Sequence, residues 1–517
     1  MSNQETKKAA ETKGGLIFYP VLLGTYAVIA LTANNLSQMK LVDGLRSLAA
    51  ALLFSGLVFL LARLVTRDWH RAALWSAFLL LLFFTYGHTY QEVEGLKIGG
   101  LAIGRHRVLL PVWIALAGAG SWLLLRKVRQ PAKLSRPLNV LLLVLVFVPL
   151  IQIGIYQVRA AQLDAEFAQT APLPETTAAA GRPDVYYIIL DGYSRSDVIQ
   201  ALYGYDNTPF LDSLRQLGFY IPDCAQTNYS HTALSLTSSL NMDYLTNLEG
   251  LIIPGQEHPD YQKYIQYVHN SQVFKKFKQL GYDLVTFSTI YPLTDMPDAD
   301  VYIADNKNPL KQYDQRAGIS DFEVMFLRTT AARLWLESSK AFFEPLQKSL
   351  VSPDEQVYER VQFQLAQLEL IPDIPGSKFV FAHIAAPHAP FVFSADGEYH
   401  LYDGQNEGYA PEITYLNKRI LEIVPIILEK SAVPPVIIIQ GDHGWHKEYR
   451  MPILNAYYLP DGGAASLYPT ITPVNTFRLV FNQYFDGDYP LLADESFFSP
   501  ALYPMQIEKV PSTCLSR

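Results

Sequence analysis

Hydrophobic positions follow two different patterns along the chain. Through about the first 160 residues they form long, nearly unbroken runs; from about residue 180 they come in short blocks separated by polar turns. Five runs are long enough to cross a bilayer as helices: residues 15–34, 44–64, 71–88, 107–125 and 137–157. The first is too long for the apolar part of a signal peptide, and no small-residue cleavage site follows it. No run holds a charged residue near its centre, which argues against an ion path. Eleven Lys and Arg residues flank one side of these spans, from Lys7 to Arg136, against five on the other (Lys40, Arg46, Lys97, Arg105, Arg107). That bias predicts a cytoplasmic N-terminus, and the odd count of five spans then puts everything after Tyr156 outside. Residues 158–170 are expected to form a short amphipathic helix on the membrane surface. The Ala/Pro/Thr-rich stretch from Thr170 to Pro183 reads as a linker. The expected division is 1–157 membrane domain, 158–183 juxtamembrane helix and linker, and 184–517 soluble domain.

Beyond the linker, strand and helix signals alternate. Val185–Leu190 is a continuous apolar and aromatic run, the pattern of a strand buried on both faces. Further strands are predicted at 219–221, 282–287, 378–384, 436–440 and 453–459. Helices are predicted at 208–217, 231–240, 272–280, 413–428 and 474–484. Such alternation predicts an α/β fold with a mostly parallel central sheet. Ligands in these sheets bind beyond the C-terminal strand ends. Asp191, His383 or His388, and Asp442 fall there. Residues 245–270 and 291–350 read as insertions that shape the pocket.

Composition agrees with the split: half the chain is hydrophobic and only 17% is charged. A net charge of -8 excludes nucleic acid as an expected partner. Cys224 and Cys514 are the only cysteines; they could form one bridge outside the cytoplasm or remain separate thiols.

The candidate chemistry lies in three stretches. Asp191 ends the first strand; a carboxylate there could ligate a metal or simply turn the chain. Asp442-His443, between Gly441 and Gly444, follows a central strand and offers one oxygen and one nitrogen ligand. The flanking glycines are expected to let the backbone approach a ligand. Between these lies Asn228-Tyr229-Ser230-His231-Thr232-Ala233-Leu234-Ser235, just before a predicted helix. A hydroxyl there would feel the positive end of the helix dipole, or would merely cap it. Thr227, Ser230, Thr232 and Ser235 all compete. His383 and His388 sit in a Pro-containing loop, where they could meet a second metal or a phosphate oxygen; His446 is a further candidate.

Together, Ile-Ile-Leu-Asp191-Gly, Thr232-Ala-Leu-Ser235, His388-Ala-Pro-Phe391 and Gly441-Asp442-His443-Gly444 resemble the alkaline phosphatase superfamily. The resemblance is to its sulfatase-like branch, which includes lipoteichoic acid synthases and lipid A phosphoethanolamine transferases. It covers about residues 184–490 and the five-span arrangement. It implies Thr232 as nucleophile and one divalent metal, Zn or Mn first and Mg next, on Asp191, Thr232, Asp442 and His443; a second metal stays open. It also implies His388 as a catalytic or phosphate-contacting group. His383, Ser235 and Asn228 are assigned to substrate binding. The Pro and Arg of sulfatases are absent: Leu stands at 234 and at 236. This moves the expectation from sulfate esters to phosphoesters of a membrane lipid or lipid-linked substrate. Asp191 stands where the membrane transferases usually have Glu, so transfer to water and transfer to another hydroxyl both stay open. The rival expectation is a catalytically silent envelope scaffold.

Overall fold

The computed structural model describes residues 16–36, 39, 41–94, 96–98, 101–102, 105–168, 181–252, 256–257, 259–304, 321–337, 353–402, 405–512 and 514. Most of the expected linker, residues 169–180, lies outside them. The chain divides into two compact units, one from Met1–Arg159 with Arg316–Val351, the other from Ala160–Gln315 with Ser352–Arg517.

The first unit contains helices α1 (Tyr19–Asn34), α2 (Gly44–Thr66), α3 (Trp69–Val93), α4 (His106–Arg126) and α5, which begins at Ala132. Among the described residues, four stretches are long and apolar enough to cross a membrane, namely α2 to α5. Helix α1 is apolar but has only 16 residues, about 24 Å at 1.5 Å per residue, short of a hydrocarbon core of about 30 Å. The outer faces of α2, α4 and α5 expose Leu53, Leu64, Ile114 and Phe147, the sign of surface meant for lipid rather than water. Helix α5 runs unbroken from Ala132 to Ala168. The separate surface helix expected at 158–170 is therefore its continuation, because nothing in 157–163 breaks an α-helix.

A segment from far along the chain joins this unit. Helix Asp321–Thr329 buries Phe322 and Phe326 among Val28, Ala51, Leu80 and Phe84. The Ala331 amide donates to the Phe83 carbonyl at 2.8 Å. Arg333 pairs with Glu94 at 3.1 Å and lies 4.2 Å over the Tyr90 ring. A Cβ on Gly87 would fall 2.0 Å from the Arg328 carbonyl oxygen, so only glycine admits this approach. Residues 321–337, expected with the pocket insertions, thus pack among membrane helices. Their phenylalanines find an apolar surface there.

The second unit holds a six-stranded sheet: β1 (Val185–Leu190), β2 (Asp283–Phe287), β3 (Val301–Ile303), β4 (Lys378–Ile384), β5 (Val436–Gly441) and β6 (Asn455–Tyr458). The order is β3-β2-β4-β1-β5-β6, parallel except for β6. The predicted strand at 219–221 is reduced to a single bridge between Tyr220 and Tyr457. Alternate residues of β1 serve two cores. Tyr186, Ile188 and Leu190 meet Val380, Ala382, Ile437 and Ile439 beneath helices Pro353–Leu368 and Gln405–Lys430. Val185, Tyr187 and Ile189 meet Phe381 and Ile438 beneath helices Thr232–Asn241 and Pro473–Tyr484. Burial on both faces explains the unbroken apolar run in each central strand. Cys224 and Cys514 form a disulfide joining residues 290 apart in sequence.

Candidate active site

Strand register assembles the site. Ile189 lies opposite both His383 and Gln440, and Leu190 lies opposite Gly441. Asp191 and Asp442 therefore leave adjacent parallel strands side by side. Side chains alternate along a strand, so Asp191, His383 and Asp442 share the face of Ile189. The helix Thr232–Asn241 covers that same face.

Asp442 and His383 are each held on one side and left open on the other. The Asp442 Oδ1 accepts from the Gly192 amide at 2.9 Å and from its neighbour's amide, that of His443, at 2.8 Å. Its Oδ2 has no hydrogen-bond partner. The His383 Nδ1 is 3.0 Å from the Thr294 hydroxyl, while its Nε2 is unpartnered and 3.4 Å from Asp191 Oδ2. Asp191 Oδ1 is also unpartnered. One ligand atom from each of the three lies within 4.8 Å of the others, and all three residues are buried. Buried polar atoms without partners are costly, and two carboxylates with an imidazole suit Zn or Mn. These residues fit a divalent cation.

The electrostatics agree. Burial works against the charge of Asp191, but His388 and His383 outweigh it and hold the carboxyl below the usual range. Burial and the Asp191 charge push Asp442 up to about 6. Burial and the Arg450 charge push His443 well below its usual value, so it is neutral. A pH dependence follows. Below about 6 a cation must displace a proton from Asp442, so zinc affinity should fall roughly tenfold per pH unit there. The metal-free fold loses stability as pH rises through about 6, because the buried carboxylate then ionises. Calorimetric zinc titration at about pH 5 and about pH 7 checks this; equal affinities would remove Asp442 from the ligand set.

Thr232 is the first residue of its helix, whose N-cap is His231. Its Oγ1 is 3.2 Å from His443 Nε2. The His443 Nδ1 donates to the Gly444 carbonyl at 3.0 Å, which leaves Nε2 as the acceptor. The structure brings Thr232, Asp191, His383, Asp442 and His443 together. His388 stands at the rim: its ring is 6.3 Å from that of His443 and 4.7 Å from Trp445, and its Nδ1 donates to the Ala389 carbonyl.

Ser235 and Asn228 face inward. Ser235 is buried and donates to the Asp442 carbonyl at 2.8 Å, locking the helix to the strand end. Asn228 bonds Glu495 and Val474 and holds the loop from behind. The two glycines beside Asp442-His443 serve backbone packing. A Cβ on Gly441 would lie 2.3 Å from the Tyr193 oxygen, and one on Gly444 2.4 Å from that of Tyr449.

Sequence reasoning missed Arg450 and Thr294. Arg450 Nη2 is 2.9 Å from His443 Nε2, and its Nε donates to the Ser230 carbonyl at 2.5 Å. A basic residue seven places past His443 was the only local signal.

No family model matches the sequence, and no curated protein does. Solved structures do. The zinc complex of the C-terminal periplasmic domain of EcEptC from Escherichia coli is similar at 12% identity and TM-score 0.37, covering 62% of this chain and 88% of that one. The integral membrane protein lipooligosaccharide phosphoethanolamine transferase A from Neisseria meningitidis is similar at 11% identity and TM-score 0.36, covering 90% and 94%. Phosphonate monoester hydrolase of Agrobacterium radiobacter is similar at 11% identity and TM-score 0.36, covering 61% and 80%.

Proposed function

We propose that this chain is a membrane-bound, metal-dependent enzyme of sulfatase-like type. It moves a phosphoryl-bearing group from a lipid or lipid-linked phosphoester through a covalent phospho-threonine at Thr232. One observation carries the reading: three buried, unpartnered ligand atoms converge beside a hydroxyl at a helix N-terminus. Asp191, His383 and Asp442 would hold the cation, with Thr232 and His443 at its edge. The cation would polarise a phosphoryl oxygen and make the threonine hydroxyl more acidic.

Thr232 Oγ1 attacks phosphorus and its proton passes to the neutral His443 Nε2, 3.2 Å away. The bond from phosphorus to the leaving oxygen breaks as the new one forms. The amides opening the Thr232 helix face the developing negative charge. His388 at the rim steadies the other phosphoryl oxygens or protonates the leaving oxygen. An acceptor hydroxyl or water then attacks phosphorus and frees Thr232. In this proposal α1 is a fifth crossing, which places the second unit outside the cytoplasm. The disulfide supports that side, since such bonds persist in oxidising compartments. Membrane attachment would raise the local concentration of a lipid substrate.

Mass spectrometry of the protein taken from its own membrane tests the reading. A phosphoryl-bearing adduct on the Thr232 peptide is expected, and its mass names the group. An adduct on another hydroxyl, with Thr232 bare, would move the nucleophile.

A further inference from the structure

We propose that Arg450 grips a non-bridging phosphoryl oxygen beside Thr232, exchanging its hold on His443 for the anion. This rests on the phosphoester reading above. Arg450 bridges the two halves of the site: its Nε donates to the carbonyl of Ser230, two residues before Thr232, and its Nη2 donates to His443. The guanidinium is thereby fixed next to the attacking oxygen.

Its present partner is a weak one. His443 has a single lone pair at Nε2, because Nδ1–H is given to Gly444. Two donors claim that lone pair, Arg450 Nη2 at 2.9 Å and Thr232 Oγ1 at 3.2 Å. A neutral imidazole is a poorer acceptor for a guanidinium than an anionic oxygen is. Moving Arg450 onto a phosphoryl oxygen would leave His443 to Thr232 alone, the pairing that proton transfer needs. Among the described residues, Arg450 makes no direct ion pair, although it is half-buried; the Asp442 and Asp191 charges act on it without contact. A guanidinium held largely out of water with no anion bonded to its fork is suited to receive one. The competing role is a strut that only joins Ser230 to His443.

The test uses the full-length chain in detergent, loaded with zinc, with inorganic phosphate as the probe in calorimetric titrations and zinc content measured in parallel. Arg450→Gln should keep wild-type zinc and lose phosphate affinity by roughly ten- to a hundredfold, as expected for one charged hydrogen-bonding group. Arg450→Lys keeps the charge but not the planar fork, and should bind phosphate several-fold more weakly than wild type. It also serves as the test variant if Arg450→Gln does not fold. Wild-type phosphate affinity in the variants overturns the proposal, and so does loss of zinc along with phosphate, which would mark Arg450 as a strut for His443. If the wild-type protein holds zinc but binds no phosphate, the phosphoester reading falls as well. If the wild type binds phosphate and Arg450→Gln binds it equally, only the role of Arg450 falls.

Discussion

Thr232→Ala is expected to lower turnover of a chromogenic phosphodiester by roughly ten-thousandfold or more, the scale seen when a nucleophile is removed. Zinc content and thermal unfolding should stay near wild type. The structure explains why the fold survives. Thr232 is the first helical residue rather than the cap, which is His231. Its hydroxyl bonds His443 and is only partly buried. Alanine is also the better helix former. The cation would remain on Asp191, His383 and Asp442. Activity within tenfold of wild type would end the assignment of Thr232 as nucleophile.

The second large effect separates two roles for His383. As a ligand, His383→Ala should weaken zinc binding by roughly a hundredfold or more, since loss of even an outer contact to a metal ligand costs ten- to a hundredfold. Turnover should fall with it. As a substrate contact, the same change should leave zinc affinity intact and weaken phosphate binding alone. Geometry favours the ligand: Nε2 is buried, unpartnered and faces Asp191 Oδ2. The substitution opens a cavity, so His383→Gln serves as a control of similar size. Both variants holding zinc like wild type would return His383 to the substrate.

How far the site could be read from sequence differs residue by residue. Asp191 and Asp442-His443 were legible because Asp191 directly follows an apolar run, and Asp442 follows another after only Gln440 and Gly441, each run long enough to make a strand. Thr232 stood among four hydroxyls in one stretch, and motif spacing narrowed the choice. Ser235 and Asn228 looked equally available. Their amides and hydroxyls turn inward to Asp442, Glu495 and Val474, a choice made by partners more than 200 residues away. Arg450 carried little local signal beyond its position seven places past His443, because its neighbours Ser230 and His443 come from separate loops. The direction of β6 was equally hidden: hydropathy is the same read either way, and its antiparallel pairing with β5 is a matter of hydrogen bonding.

The sequence by itself determined the two kinds of structure in this chain: apolar helices long enough for a membrane, and buried strands alternating with helices. Those follow from hydropathy and its period, which are local properties. Tertiary structure decided the rest. Pairing of β1 with β4 and β5 at one register turns Asp191, His383 and Asp442 to a single face and leaves three ligand atoms without partners. A one-residue slip would point His383 into the other core. Packing likewise sent residues 321–337 among the membrane helices, where Phe322 and Phe326 are covered. Such outcomes depend on contacts between distant segments, whose energies appear only once the strands and helices are assembled.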